Sequence, residues 1–184
     1  MYQSFYGMNQ LPFDSSLDST CFFAGGQRQE ILDALLYFTE RGEKMVVITG
    51  ESGVGKTALI SVLQLRLPER VSRVQLTGPY LMQQELQEAL LSYLSIRTEY
   101  GDDSQSILTN YLQEISDQTA PLLLIVDDAH KLSQASLSFL LSLAETSTSQ
   151  RPLVRLMLFG MPDLSKMLLL SLIHISEPTR LLRS

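Results

Sequence analysis

Apolar and polar positions follow two different periods along this chain. Met45-Val46-Val47-Ile48-Thr49 is a short β-branched run, and Leu122-Leu123-Leu124-Ile125-Val126 is apolar at every position. Uninterrupted runs of this length predict strands buried on both faces. Two more strands are expected at Arg70 to Leu76, with Val71, Val74 and Leu76 apolar, and at Leu153 to Phe159. Between them the apolar spacing becomes helical. Gln27 to Arg41 gathers Ile31, Leu32, Leu35, Leu36 and Phe38 on one side. Ala58 to Leu67, Gln83 to Leu94, Ser104 to Ile115 and Ser133 to Leu143 read the same way. Gly78-Pro79 and a polar turn at Gly101-Asp102-Asp103 punctuate the chain. Strands alternating with helices predict an α/β fold, with a parallel sheet covered by helices on both faces.

The joint between the first strand and its helix carries chemistry. Gly50-Glu51-Ser52-Gly53-Val54-Gly55-Lys56-Thr57 fits the P-loop pattern at every fixed position. Its setting of strand, Gly-rich turn and helix is the required one. The glycines let backbone N–H groups wrap a phosphate, and the helix N-terminus adds partial positive charge. Lys56 would reach the β- and γ-phosphates, and the Thr57 hydroxyl would ligate Mg²⁺. A plain Gly-rich turn before a helix is the competing reading, and three glycines there would be an unneeded entropic cost.

A second carboxylate site follows the strongest strand. Leu122 to Val126 delivers Asp127-Asp128 to the edge where α/β sheets bind ligands, a Walker B pattern. Asp127 would hold Mg²⁺. Asp128 would position the attacking water, though it is one methylene shorter than the usual glutamate. Either carboxylate alone could be a helix cap or a solvated turn residue. His130 reads first as a polar residue on the turn into the next helix. A GTPase would need a base-reading Asn-Lys-x-Asp motif, and neither Asn9 nor Asn110 sits in one. A small-molecule kinase would want an Arg-rich lid, and only Arg151, Arg155, Arg180 and Arg183 lie late in the chain. A P-loop ATPase of the additional-strand type remains. Arg151 and Arg155 read as solvated charges.

These residues resemble the AAA-type ATPases of the ExeA/MshM kind, which serve general secretion and pilus biogenesis. The resemblance runs over about residues 1–168. It includes Met1-Tyr2, Phe5, Gly7, Pro12, Phe13, Gln27 to Leu32, the P-loop, Asp127 to Leu132, Glu145-Thr146-Ser147 and Leu158 to Leu164. It implies ATP and Mg²⁺ as ligands, a homo-oligomer when full length, and protein partners in an envelope machine. It also implies that the segment 1–26 packs near the adenine, with Pro12 and Phe13 in contact. Plain hydrophobic anchoring explains those two equally well. The ATPase core then covers 27–168. Where the family has Asp-Glu-Ala and Gly-Gln-Pro, this chain has Asp127-Asp128-Ala129 and Gly160-Met161-Pro162. Met161 cannot donate a side-chain hydrogen bond where the family's glutamine faces the γ-phosphate.

From Ser171 to Arg180 the chain resembles translated sequencing-adapter read-through, so 169–184 is expected to be a non-native tail; a genuine amphiphilic C-terminus is the alternative. On the adapter reading the sheet lacks its last strand and its helical lid. ATP hydrolysis would then be weak or absent in this form. Two functions stay open: a hydrolysing motor or switch, and a nucleotide-dependent binding module with little turnover. DNA targeting in transposition, the role of more distant TniB-type relatives, is a third.

Composition narrows this further. Across 184 residues, Lys and Arg number 14 against 20 Asp and Glu, a net charge of −6. That balance disfavours nucleic acid as a partner, which needs clustered cations. The single cysteine, Cys21, allows no internal disulfide and suits a reducing compartment. No basic region followed by an apolar stretch marks the N-terminus as a leader. The longest apolar run, Met167 to Ile175, is too short to span a bilayer. A cytoplasmic location follows as the expectation, with membrane attachment only through a missing C-terminal part.

Overall fold

The computed structural model describes residues 25, 27–41, 43–77, 82–97, 103–116, 121–148, 151–172 and 180–183. Seven strands and six α-helices form among them. They are α1 (Arg28–Glu40), β1 (Met45–Thr49), α2 (Lys56–Arg66), β2 (Arg73–Leu76), α3 (Gln83–Tyr93), α4 (Ser104–Ser116) and β3 (Leu122–Val126). Then come a 3₁₀ turn (Ala129–Lys131), α5 (Gln134–Glu145), β4 (Ser147–Thr148), β5 (Arg151–Pro152), β6 (Val154–Gly160), α6 (Asp163–Leu172) and β7 (Arg180–Arg183).

Five strands form one parallel sheet in the order β2-β3-β6-β1-β7. β6 therefore lies between the P-loop strand and the Asp127 strand. Its register sets Thr49 opposite Gly160 on one side and Val126 opposite Leu158 on the other. β4 and β5 make a separate antiparallel ribbon.

Alternate strand residues point to opposite faces, and each face has its own core. Val47, Leu124, Val126, Leu156 and Leu158 pack with side chains of α3, α4, α5 and α6. Val46, Ile48, Ile125, Met157 and Phe159 pack with α1 and α2. Each fully buried aliphatic or aromatic side chain contributes roughly 1.5–3 kcal/mol. The apolar runs of β1 and β3 arise from this double cover.

The turn after Asp127 is anchored by α5. The Ser136 backbone N–H donates to Ser133 Oγ at 3.1 Å, which caps the helix. Ser133→Ala should lower unfolding stability by about 1 kcal/mol. Chemical denaturation reads this directly, and an unchanged midpoint would mean the cap contributes nothing.

One expectation needs correction, and one further strand, within the suspected tail, lies beyond β1. Arg180–Arg183 pairs with it in parallel, Val46 opposite Arg180 through Thr49 opposite Arg183. An open β1 edge would leave a row of unpaired backbone groups, and a short extended segment satisfies them through backbone alone. The expectation that fails concerns Arg155, which is not a solvated charge. It sits inside β6, and its guanidinium donates to the Thr39 carbonyl near the end of α1. Its Nε is buried without a hydrogen-bond partner, and burial lowers the pKa of the group. α6 runs through Leu172, and Ser171, within the suspected tail, is buried and bonded to Gln134.

Candidate functional site

The site forms where β1, β3 and β6 end side by side. Gly50, the first loop residue after β1, donates its N–H to the Gly160 carbonyl at 3.1 Å. The loop thus starts pinned to β6. Gly53 and Gly55 take left-handed φ values of +81° and +94°. A side chain at either position would be strained, which is why the motif spells glycine there. Glu51, Ser52, Gly53 and Val54 stay exposed, so the loop is open to a ligand.

Helix α2 begins at Lys56 with Gly55 as its N-cap. No side chain caps it, and no acidic residue lies in its first turn. Its first backbone N–H groups therefore lack an intrahelical partner or side-chain cap, an arrangement suited to an anion. The Lys56 ammonium donates to the carbonyls of Gly50 and Glu51, each at 2.8 Å. Those two acceptors hold the charge across the mouth of the loop.

Thr57 follows one residue later. Its hydroxyl donates to Asp127 Oδ2 at 2.7 Å across 70 residues of sequence. Asp127 is buried, and its Oδ1 accepts the Asp128 N–H at 2.9 Å. A hydroxyl and a carboxylate meeting beside a cationic loop are hard oxygen donors. Mg²⁺ commonly takes one or two protein oxygens, the rest of its shell being water and phosphate. The donor set fits that ion. Among the described residues no cluster of three or more His, Cys, Asp or Glu forms a self-sufficient metal cage.

Asp128 adopts a left-handed conformation, φ +53°, tolerable for aspartate. Lys131 Nζ donates to Asp128 Oδ2 at 2.6 Å. That hydrogen bond, with smaller effects of the Lys131, His130 and Lys56 charges, holds Asp128 below its ordinary pKa. Asp128 is an ionised carboxylate at neutral pH.

Three contacts had no local signal in the sequence. Arg28 on α1 donates to the Val54 carbonyl at 3.3 Å, so the preceding helix clasps the loop. His130 Nδ1 accepts the Met161 N–H at 3.3 Å, joining the turn after β3 to the end of β6. Gly160 leaves no room for a side chain, because an added Cβ would lie 2.9 Å from Leu164 Cδ2 and 3.3 Å from the His130 backbone nitrogen. Pro12 and Phe13 lie outside the described residues.

Residues 39–168 match the family model described as AAA domain. The chain belongs to the AAA domain family. This AAA domain is 26% identical over 173 residues to General secretion pathway protein A of Aeromonas hydrophila, covering 91% of this chain and 31% of that protein. It is 29% identical over 131 residues to the chaperone protein ClpB of Dichelobacter nodosus, covering 71% of this chain and 14% of that one. The AAA domain thus spans under a third of these curated relatives. Among solved structures it superposes on Cdc6p from Pyrobaculum aerophilum with TM-score 0.67 at 16% identity, covering 91% of this chain and 48% of that one. The ADP form of the Aeropyrum pernix ORC2 protein gives TM-score 0.62 at 14% identity, covering 98% and 52%. These likenesses carry the fold: an α/β P-loop ATPase of the AAA type. No helix among the described residues is long and apolar enough to cross a membrane.

Proposed function

We propose that this AAA domain binds Mg-ATP between the P-loop and the end of β3, and uses it to switch or energise assembly of a bacterial secretion or envelope complex. The observation that carries the nucleotide site is the 2.7 Å contact between Thr57 and Asp127, beside the Lys56 ammonium. Gly50 to Gly55 would wrap the phosphates, and Lys56 would donate to the β- and γ-phosphoryl oxygens. Thr57 and Asp127 would hold Mg²⁺, which when bound neutralises charge on those oxygens. Asp128 would orient the attacking water and accept its proton. Pro12 and Phe13 would close over the adenine, within a segment 1–26 that precedes the core at 27–168. The segment 169–184 is proposed to be foreign to the native protein.

The likeness to General secretion pathway protein A over 91% of this chain supports the secretion reading. Protein partners, a homo-oligomer and a cytoplasmic location belong to the same proposal. A second reading, a nucleotide-dependent docking module with little hydrolysis, is favoured by the Lys131 hold on Asp128 and by Met161. DNA targeting is disfavoured by the net charge of −6.

Calorimetry with ATP in the presence and absence of Mg²⁺ tests the site. Binding should weaken about tenfold or more when the metal is chelated, since the hydroxyl and carboxylate would then face phosphate charge unshielded. Equal affinity with and without Mg²⁺ would refute the assigned roles of Thr57 and Asp127. Steady-state phosphate release separates the two readings: sustained turnover favours the motor, and tight binding without release favours the docking module.

A further inference from the structure

We propose that the end of α2 and the start of β2 form a docking surface for an acidic segment of a protein partner. Arg66, Arg70 and Arg73 would receive its carboxylates, and Leu65 would receive an apolar side chain. The surface lies away from the nucleotide site and uses none of its residues.

Local folding gathers these residues. α2 starts at the P-loop and ends at Arg66. In its last turn, Gln64 Nε2 donates to Gln75 Oε1 on β2 at 2.7 Å. The helix end therefore lies beside β2, the last strand of the sheet on that side. Arg73 stands two positions before Gln75 and shares its face of the strand. Between helix and strand a turn closes through the Val71 N–H on the Pro68 carbonyl at 3.0 Å. Leu67 is buried and Val71 packs against the same core, which fixes the turn. Leu65, Arg66, Arg70 and Arg73 are all left exposed, Leu65 with a relative exposure of 68%.

The patch is a positive island on a chain of net charge −6. Arg66, Arg70 and Arg73 fall within eight residues, with Glu69 the one carboxylate among them. Several other cations are engaged within the fold: Lys131 with Asp128, Lys166 with Asp163, Arg28 with Val54 and Arg155 with Thr39. Among the described residues no hydrogen bond or ion pair holds any of the three patch guanidinium groups. Arg66 meets the negative end of the α2 dipole, a structural reason that does not extend to Arg70 or Arg73. A guanidinium takes a carboxylate through two parallel hydrogen bonds, and clustered arginines recognise acidic motifs in this way. Arginine beside an exposed apolar side chain is also the composition enriched at interface centres. Nucleic acid would need a longer cationic track and would meet the chain's net negative charge. An anionic bilayer is recognised by clusters of about four to eight cations, more than this patch presents. A short acidic segment needs no more than the patch holds.

Fluorescence anisotropy on the full chain tests this. The probe is a labelled peptide of Asp and Glu around a central leucine, and the control peptide carries Asn and Gln at the acidic positions. The acidic peptide should bind at least about tenfold more tightly than the control, the scale of one charge-assisted hydrogen bond. Arg66→Gln, Arg70→Gln and Arg73→Gln combined should remove about tenfold or more of that affinity. Leu65→Ser should weaken it about threefold or more through lost apolar contact. ATP affinity and melting temperature should stay at the wild-type values in both variants, because the positions are exposed and Arg66 lies roughly 15 Å along α2 from Lys56. Solvated arginines with no partner predict no difference between the two peptides, and that result overturns the proposal. So does an acidic peptide held as tightly by the triple variant as by the wild type. An unchanged affinity in Leu65→Ser removes the apolar contact. If an oligonucleotide or a phosphatidylserine vesicle binds the same arginines more tightly than the acidic peptide, the acidic-segment assignment falls. It falls equally if the wild type self-associates and the triple variant does not, since a second copy is then the occupant.

Discussion

Lys56→Ala should reduce ATP affinity about ten- to a hundredfold while leaving the fold intact. The ammonium is held across the loop by the Gly50 and Glu51 carbonyls, at 2.8 Å each. Those carbonyls are acceptors without charge, so the pairing is weaker than one with phosphate oxygens. A triphosphate would draw Nζ away from the loop and form charge-assisted hydrogen bonds, each worth roughly 1.5–3 kcal/mol. Losing one such bond gives the stated fall. The stability cost should be small, because the loop keeps its Gly50 anchor on Gly160 and its Arg28 clasp on Val54. Lys56→Arg should not rescue binding, since a planar fork does not replace a compact ammonium in a loop shaped around it. Calorimetry measures the affinity and thermal melting the stability. Equal ATP affinity in wild type and Lys56→Ala would remove Lys56 from the site.

What could be read from the sequence divides along a physical line. Elements set by local pattern were legible to the residue. Met45–Thr49 and Leu122–Val126 are apolar throughout because both sheet faces are covered, so their limits coincide with those of β1 and β3. The helices were placed within a few residues, and their ends depend on caps such as Ser133 rather than on the stripe. The P-loop and Asp127-Asp128 were legible because each is a short contiguous word. Contacts that join distant segments were not. Arg155 looked like a surface charge because nothing near it in sequence shows the Thr39 carbonyl, 116 positions away. The His130–Met161 bond spans 31 positions and links two turns with no shared pattern. The β4–β5 ribbon has two residues per strand, too few for any period. α6 begins at Asp163, ahead of the apolar run from Met167, so the run alone does not mark the helix. β7 exists through backbone pairing with β1, which no side-chain pattern announces.

Asp127 and Asp128 should separate into a binding role and a chemical one. Asp127→Asn removes the charge that meets Thr57 at 2.7 Å, so Mg²⁺-dependent ATP binding should weaken. Asp128→Asn should leave binding within about threefold and lower turnover by about 10²-fold or more, because a water-positioning base acts on the chemical step. Asp128→Glu carries two opposed effects. The longer side chain reaches one methylene further, which should raise turnover if reach is what limits it. But residue 128 sits at φ +53°, where aspartate is better tolerated than most residues, so the substitution should cost some stability. Turnover must therefore be compared at equal occupancy by folded protein. The pH dependence has a definite sign. Asp128 is held below its ordinary pKa, first by the Lys131 hydrogen bond. A depressed carboxylate stays ionised as pH falls through the usual range, and it is lost as a base only below that. The stabilising pair with Lys131 follows the same course, present above the unfolded value and lost as pH falls through the folded one. Because both partners are substantially exposed, that contribution is small. Lys131→Met should move the acid limb of the pH–rate profile upward and free the carboxylate to turn toward water. If Asp128→Asn hydrolyses ATP as fast as the parent, or if the acid limb does not move in Lys131→Met, Asp128 is not the base.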